Sequence, residues 1–170
     1  GVITADTFKY YFGEDKYLSD NVPEGATLDF QGSFISDNYT LYINKPVNVI
    51  SSKNANGTGL LGAYNEELIG TAVFDSGENP NYNWVKFNVV AGGDNTNITG
   101  ISIINGDLFI QGASNVTVDN IYMKANMRGV GSGTGFLSIH SEAYNTVIKN
   151  SYFENGGTGS SCVVLGKGGK

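Results

Sequence analysis

Apolar and polar residues alternate along this chain in short bursts, and three of the bursts superpose column by column. They are Ile98-Thr99-Gly100-Ile101-Ser102-Ile103, Val118-Asp119-Asn120-Ile121-Tyr122-Met123 and Ile148-Lys149-Asn150-Ser151-Tyr152-Phe153. Each begins three positions after an asparagine: Asn95, Asn115 and Asn145. One short strand every 20 to 30 residues, with like residues at like positions, is the pattern of a chain wound into a solenoid. Ile98, Val118 and Ile148 are then expected to stack inward, as are Ile103, Met123 and Phe153, with Thr99, Asp119 and Lys149 facing out. The Asn95/Asn115/Asn145 and Gly100/Asn120/Asn150 columns fall at bends. Asparagine tolerates the left-handed backbone needed there, and its amide can bond the same group one coil away. These asparagines are therefore structural, and Asp119 is expected to pair with Lys149 across neighbouring coils.

Val85-Lys86-Phe87, Leu108-Phe109-Ile110 and Leu137-Ser138-Ile139 form a second ladder, and Val163-Val164-Leu165 begins its next rung. Two ladders around one core predict an all-β protein, a parallel β-helix; a β-sandwich predicts frequent hairpin turns without this columnar match. Near the start, Thr4 and Asp6 are candidate N-caps, and Phe8, Tyr11 and Phe12 have helical spacing. Residues 4–12 therefore predict a short amphipathic helix that covers the open end of the solenoid. Strands are expected over 26–30, 39–43 and 47–50, with irregular chain over 57–70 and a turn-rich loop over 75–83. The reading is one domain over 1–170, a segment of a longer protein. It has an N-terminal cap (1–25), irregular first coils (26–83) and regular coils (84–170).

Composition agrees with that picture. The chain has 24 glycines, 10 tyrosines and 9 phenylalanines in 170 residues, with 15% charged residues, a balance that favours turn-rich β-structure. A net charge of -6 argues against nucleic acid or an anionic membrane as partner, and no apolar run is long enough for a membrane-spanning helix. Cys162 is the only cysteine, which excludes an intrachain disulfide and a cysteine-based zinc site; it reads as a small core residue.

Candidate chemistry is sparse. His140 is the only histidine, with Ser138, Ser141 and Glu142 beside it in sequence, but a triad needs convergence in space. Asp107, Asp119 and Glu142 are the acids from successive coils that two-carboxylate hydrolysis would require, and a Lys149 partner argues against general-acid duty for Asp119. Asp75-Ser76-Gly77-Glu78 reads at most as a weak cation loop, and no metal or cofactor is implied. Glycosylation sequons occur at Asn38, Asn56, Asn97 and Asn115, of which Asn38 and Asn56 lie in expected loops. For binding, Tyr122 and Tyr152 share an outward column. Two exposed stacked rings would suit a sugar's apolar face, and the bland alternative is a cross-strand stack that only stabilises the sheet. Phe109, outward between Leu108 and Ile110, carries the same two readings. Arg128, the sole arginine, lies in a Gly-rich insertion over 128–135.

The strand-Asn-strand rhythm of residues 85–165 resembles right-handed parallel β-helix proteins of the pectate-lyase-like superfamily. The N-terminal part, through Gly32, Phe34, Ile43, Lys45, Pro46 and Val47, is more specifically similar to adhesin-like surface proteins of methanogenic archaea. Enzymes of the superfamily carry Asn-Thr-Asp, Asp-Asp or Gly-His-Gly signatures, or acidic clusters with Arg or Lys; here His140 sits in Ser-Ile-His-Ser. The resemblance thus implies a non-catalytic, extracellular cell-surface adhesin segment that presents a face to glycans or partner cells. A fragment of a polysaccharide lyase or glycosidase, and a purely structural envelope stalk, are the alternatives.

Overall fold

The computed structural model describes residues 1–35, 38–52, 72–77, 86–125, 137–155 and 162–166. Its elements are β1 (Val2–Ile3), α1 (Phe8–Tyr11), β2 (Ala26–Phe30), β3 (Gly32–Ile35), β4 (Leu41–Ile43), β5 (Val47–Ile50), β6 (Ala72–Asp75) and β7 (Lys86–Val89). There follow β8 (Asn97–Thr99), β9 (Ser102–Ile104), β10 (Asp107–Gln111), β11 (Thr117–Asp119), β12 (Tyr122–Ala125), β13 (Leu137–His140), β14 (Val147–Lys149), β15 (Tyr152–Asn155) and β16 (Val163–Leu165). They make three parallel sheets: β1-β2-β5-β8-β11-β14 (sheet one), β3-β6-β9-β12-β15 (sheet two) and β4-β7-β10-β13-β16 (sheet three). From β2 onward the chain visits the sheets in strict rotation, so each circuit lays one strand on each.

Register converts that rotation into three apolar columns. Leu28, Val49, Ile98, Val118 and Ile148 align on sheet one. Phe34, Phe74, Ile103, Met123 and Phe153 align on sheet two. Leu41, Phe87, Leu108, Leu137 and Val163 align on sheet three. All of these side chains except Val163 join one core, fully buried through the middle circuits and more exposed at the last, where Ile148 and Phe153 are partly buried and Val163 is 44% accessible. Parallel strands buried along one face and spaced ~4.8 Å apart bring successive apolar side chains into direct contact.

The expected inward columns at 98/118/148 and 103/123/153 are present. Each six-residue burst, however, is two strands on two sheets rather than one strand, because Gly100, Asn120 and Asn150 adopt φ values of 75°, 54° and 50° and turn the corner. Three sheets therefore replace the two expected ladders. The alignment of Val85-Lys86-Phe87 is also off by two residues: Phe87, not Val85, lies beside Leu108. A slip of two keeps every side chain on its face, so the alternation alone cannot detect it. Strands β1, β3 and β6 are additional to the sequence reading.

Asn95, Asn115 and Asn145 have φ values of 63°, 58° and 58°. Their bends keep the backbone ladder intact, since Asn95 N–H donates to Ser114 O and Asn115 N–H to Tyr144 O at 2.9 and 2.8 Å. Asn145 Nδ2 donates to Asn115 Oδ1 at 3.2 Å, as expected of an amide ladder. Asn150 departs from it and donates to Asp119 Oδ1 at 3.0 Å. Lys149 also reaches Asp119 at 3.7 Å, an exposed pair that contributes on the order of 0.2–1 kcal/mol.

The helix is shorter than expected, and its cap position is Thr7 rather than Thr4 or Asp6. Thr7 Oγ1 instead accepts the Thr4 N–H at 2.8 Å, and Thr4 O accepts the Phe8 N–H at 2.9 Å. Phe8 and Phe12 are buried, with ring centroids 6.2 Å from Phe34 and 6.3 Å from Phe30 respectively, so this segment does cover the first circuit. Lys45 ties the cap down by donating to Ser19 O and Val22 O at 3.0 and 2.9 Å.

One carboxylate fastens the edge of sheet one. Burial acts to raise the Asp29 pKa, but hydrogen bonds from the Ser52 hydroxyl and N–H and from Gln31, with the Gly1 ammonium nearby, outweigh it and hold the group below its usual value. A depressed folded-state pKa stabilises the fold above the unfolded-state value, about 3.9, and that contribution is lost as pH falls through the folded-state value. Asp29→Asn is therefore expected to be less stable than the parent at pH 6, with the gap narrowing as the pH falls below the unfolded-state value, about 3.9. Urea titrations across that range check this, and a gap independent of pH would refute it.

Candidate functional site

Tyr122 and Tyr152 align in register and stack, with ring centroids 5.2 Å apart and planes 4° apart. The stack is not an exposed platform, because Tyr122 is only 1% accessible. Facing away from the core and facing solvent are separate properties: on the same outer face Ser102 is fully buried. Tyr152 is half-buried and donates its hydroxyl to Glu154 at 3.0 Å. Phe109 is half-buried and meets His140 edge-on at 6.0 Å. Arg128 and the 128–135 insertion lie outside the described residues, as does Asn56; Asn38 is exposed in a turn.

The accessible aromatic stack is elsewhere. Tyr17 pairs in parallel with Tyr42 and so adds an outermost strand position to sheet three. Leu18 N–H donates to Tyr42 O at 3.2 Å, and Tyr42 N–H to Lys16 O at 2.9 Å. The two rings lie 4.7 Å apart at 12°, with Tyr17 38% accessible. Register then continues the outward column through Asn88, Phe109 and Ser138. Beside it an open groove of about 450 Å³ is lined by Tyr17, Tyr42, Val90, Ala91, Gln111, Gly112, Ser141 and Glu142. Those residues belong to five successive strand positions of sheet three, counting Tyr17, so the groove runs across the strands for about 19 Å.

The corners that follow β7, β10 and β13 lie at or next to the groove lining. After β7 the corner uses Gly92 (φ 94°), and after β10 Gly112 (φ 73°). After β13 the same duty falls to Ser141 and Glu142, at φ 23° and 57°. A left-handed residue other than glycine costs roughly 1–2 kcal/mol, least for asparagine, so serine and glutamate carry more strain here than the asparagines at the other bends. The corner is pinned by the Ser114 hydroxyl, which bonds Glu142 O at 3.5 Å and accepts the Tyr144 N–H at 3.2 Å. The Glu142 backbone is thereby fixed beside the groove, of which Glu142 is a lining residue.

No family model, curated protein or solved structure matches the chain. The site is therefore read from its own residues.

The remaining candidates separate. Ser138 and His140, two apart on β13, share a face and a hydrogen bond, but Ser138 is fully buried and is no nucleophile for a substrate. Asp107 is 1% accessible on sheet three, Asp119 belongs to sheet one, and Glu142 lies in the groove, so the fold does not bring the three acids together as a set. Asp75 accepts the Gly77 N–H at 2.7 Å, and among the described residues no group of three or more metal-ligating side chains occurs. Cys162 is a free, half-buried thiol. Among the described residues no helix is long and apolar enough to cross a membrane.

Sequence reasoning missed Tyr17, Tyr42, Gln111, Ser141 and Glu142 as one site. Tyr17 lies in the N-terminal cap and the others in three different circuits, and no motif joins them. The only signal was a negative one: the corners carry Gly92 and Gly112 in two circuits and Ser141-Glu142 in the third.

Proposed function

We propose that the chain is a segment of a right-handed parallel β-helix that serves as a non-catalytic, extracellular surface module, binding glycan chains in the Tyr17/Tyr42 groove. Strict rotation through three parallel sheets with continuous inward columns supports the solenoid. The resemblance of the N-terminal segment to adhesin-like surface proteins supports the setting. The observation that carries the binding function is the stacked, accessible tyrosine pair at the end of a groove lined by an amide, a hydroxyl and a carboxylate. Aromatic faces pack on the apolar side of a sugar ring, while polar groups along the cleft take its hydroxyls. Of the described lining residues Glu142 is the one acid, whereas two-carboxylate hydrolysis needs a pair, which favours binding over cleavage.

Titration of the isotope-labelled chain with a panel of soluble oligosaccharides tests this reading. Tyr17, Tyr42 and Gln111 signals are expected to shift, and Tyr42→Ala to weaken binding about tenfold, the loss of one aromatic contact. Tyr152→Ala, on another sheet, serves as the control and should leave affinity unchanged. Equal loss in both variants, or shifts confined to sheet two, would move the site away from the groove.

A further inference from the structure

We infer that the groove selects uncharged glycans over acidic ones and that Glu142 is the residue that sets this selectivity; the inference rests on the glycan reading above. The described lining contains no lysine, arginine or histidine to pair with a uronate, sialate or sulfate. Its one charged group is the Glu142 carboxylate, and the chain's net charge of -6 adds to the repulsion of any polyanion. A neutral sugar meets the opposite situation. Its hydroxyls donate to the carboxylate in charge-assisted hydrogen bonds, and the Gln111 amide both donates and accepts.

Backbone geometry makes the inference testable without loss of the fold. Glu142 occupies a left-handed position, φ 57°, at a corner where the two preceding circuits use glycine. Packing does not require glutamate there, since the residue is exposed. Glycine would relieve the backbone, so the carboxylate can be removed without a cost to the corner. This yields an unusual pair of expectations for one substitution: Glu142→Gly should hold or raise thermal stability and still lose ligand.

The experiment compares the parent chain with Glu142→Gly and Glu142→Gln by calorimetry and thermal melting. The neutral probes are cellopentaose, mannopentaose and N-acetylchitopentaose; the acidic probe is pentagalacturonate. At least one neutral probe is expected to bind the parent chain tenfold or more tightly than pentagalacturonate. Glu142→Gly is expected to melt at or above the parent temperature and to bind that neutral probe about tenfold more weakly. Glu142→Gln, which keeps the shape without the charge, should narrow the gap between neutral and acidic probes. If pentagalacturonate binds the parent as tightly as the neutral probes, or Glu142→Gly leaves affinity unchanged while Tyr42→Ala lowers it, the selectivity inference fails and the glycan groove stands. If no probe binds, both fail.

Discussion

Replacing Phe74 by alanine is expected to lower folding stability by about 3–5 kcal/mol, the range for removing a fully buried phenylalanine. Phe74 has no accessible surface and lies at the junction of the three sheets. It stacks on Phe34 of sheet two at 4.5 Å and 9°, and meets Phe30 of sheet one and Phe87 of sheet three edge-on at 5.3 and 5.4 Å. Removing the ring therefore leaves a cavity bounded by strands of three different sheets, which cannot all move inward at once. At 170 residues a loss of this size corresponds to a melting temperature lower by roughly 6–20 °C. Phe74→Leu retains most of the volume and should cost less. Guanidinium unfolding followed by far-ultraviolet circular dichroism measures both. A loss below about 1 kcal/mol for Phe74→Ala would mean that the ring cluster does not hold the sheets together.

Gly92→Ala is the second large effect, and it arises in the backbone rather than the core. Gly92 has φ 94°, and a Cβ there would sit 2.4 Å from the carbonyl oxygen of Asn44 in the preceding circuit. That oxygen belongs to main chain, so relief requires two circuits to part. A cost of roughly 2–4 kcal/mol is expected, combining left-handed strain with the displacement. Gly112 is the internal comparison. Its φ is 73°, but the nearest atom to a Cβ is 3.7 Å away, so Gly112→Ala should cost only the conformational part, about 1 kcal/mol. Equal costs for the two substitutions would show that the contact with Asn44 relaxes freely.

These two sites illustrate what was legible. The inward columns could be read from the chain because parallel strands in register stack like on like, which forces Ile98, Val118 and Ile148 to share a chemistry. The bends could be read because few residues accept positive φ, which restricts positions 95, 115 and 145 to asparagine here. The bends at Gly100, Asn120 and Asn150 were legible as well, but not that each carries the chain onto a different sheet. The apolar pattern continues across them, so the change of sheet leaves no mark in the alternation. Nor was the register of Phe87 legible, because Val85 and Phe87 are both apolar and two apart. Strand β1, of two residues, is too short to display a period.

Side-chain alternation and allowed dihedral angles are properties of a few consecutive residues. The chain by itself therefore determined which side chains face the core, where the bends fall, and that Asp119 meets Lys149. Accessibility is a property of chain that lies far away in sequence. Only the stacked circuits decided that Tyr122, though outward, is buried, and that Tyr17 and Tyr42, with no motif between them, form an accessible pair. The groove beside that pair exists because residues 17, 42, 90–91, 111–112 and 141–142 are brought together by the register of sheet three. No local pattern encodes a register summed over four circuits, and for that reason the site became visible only in the fold.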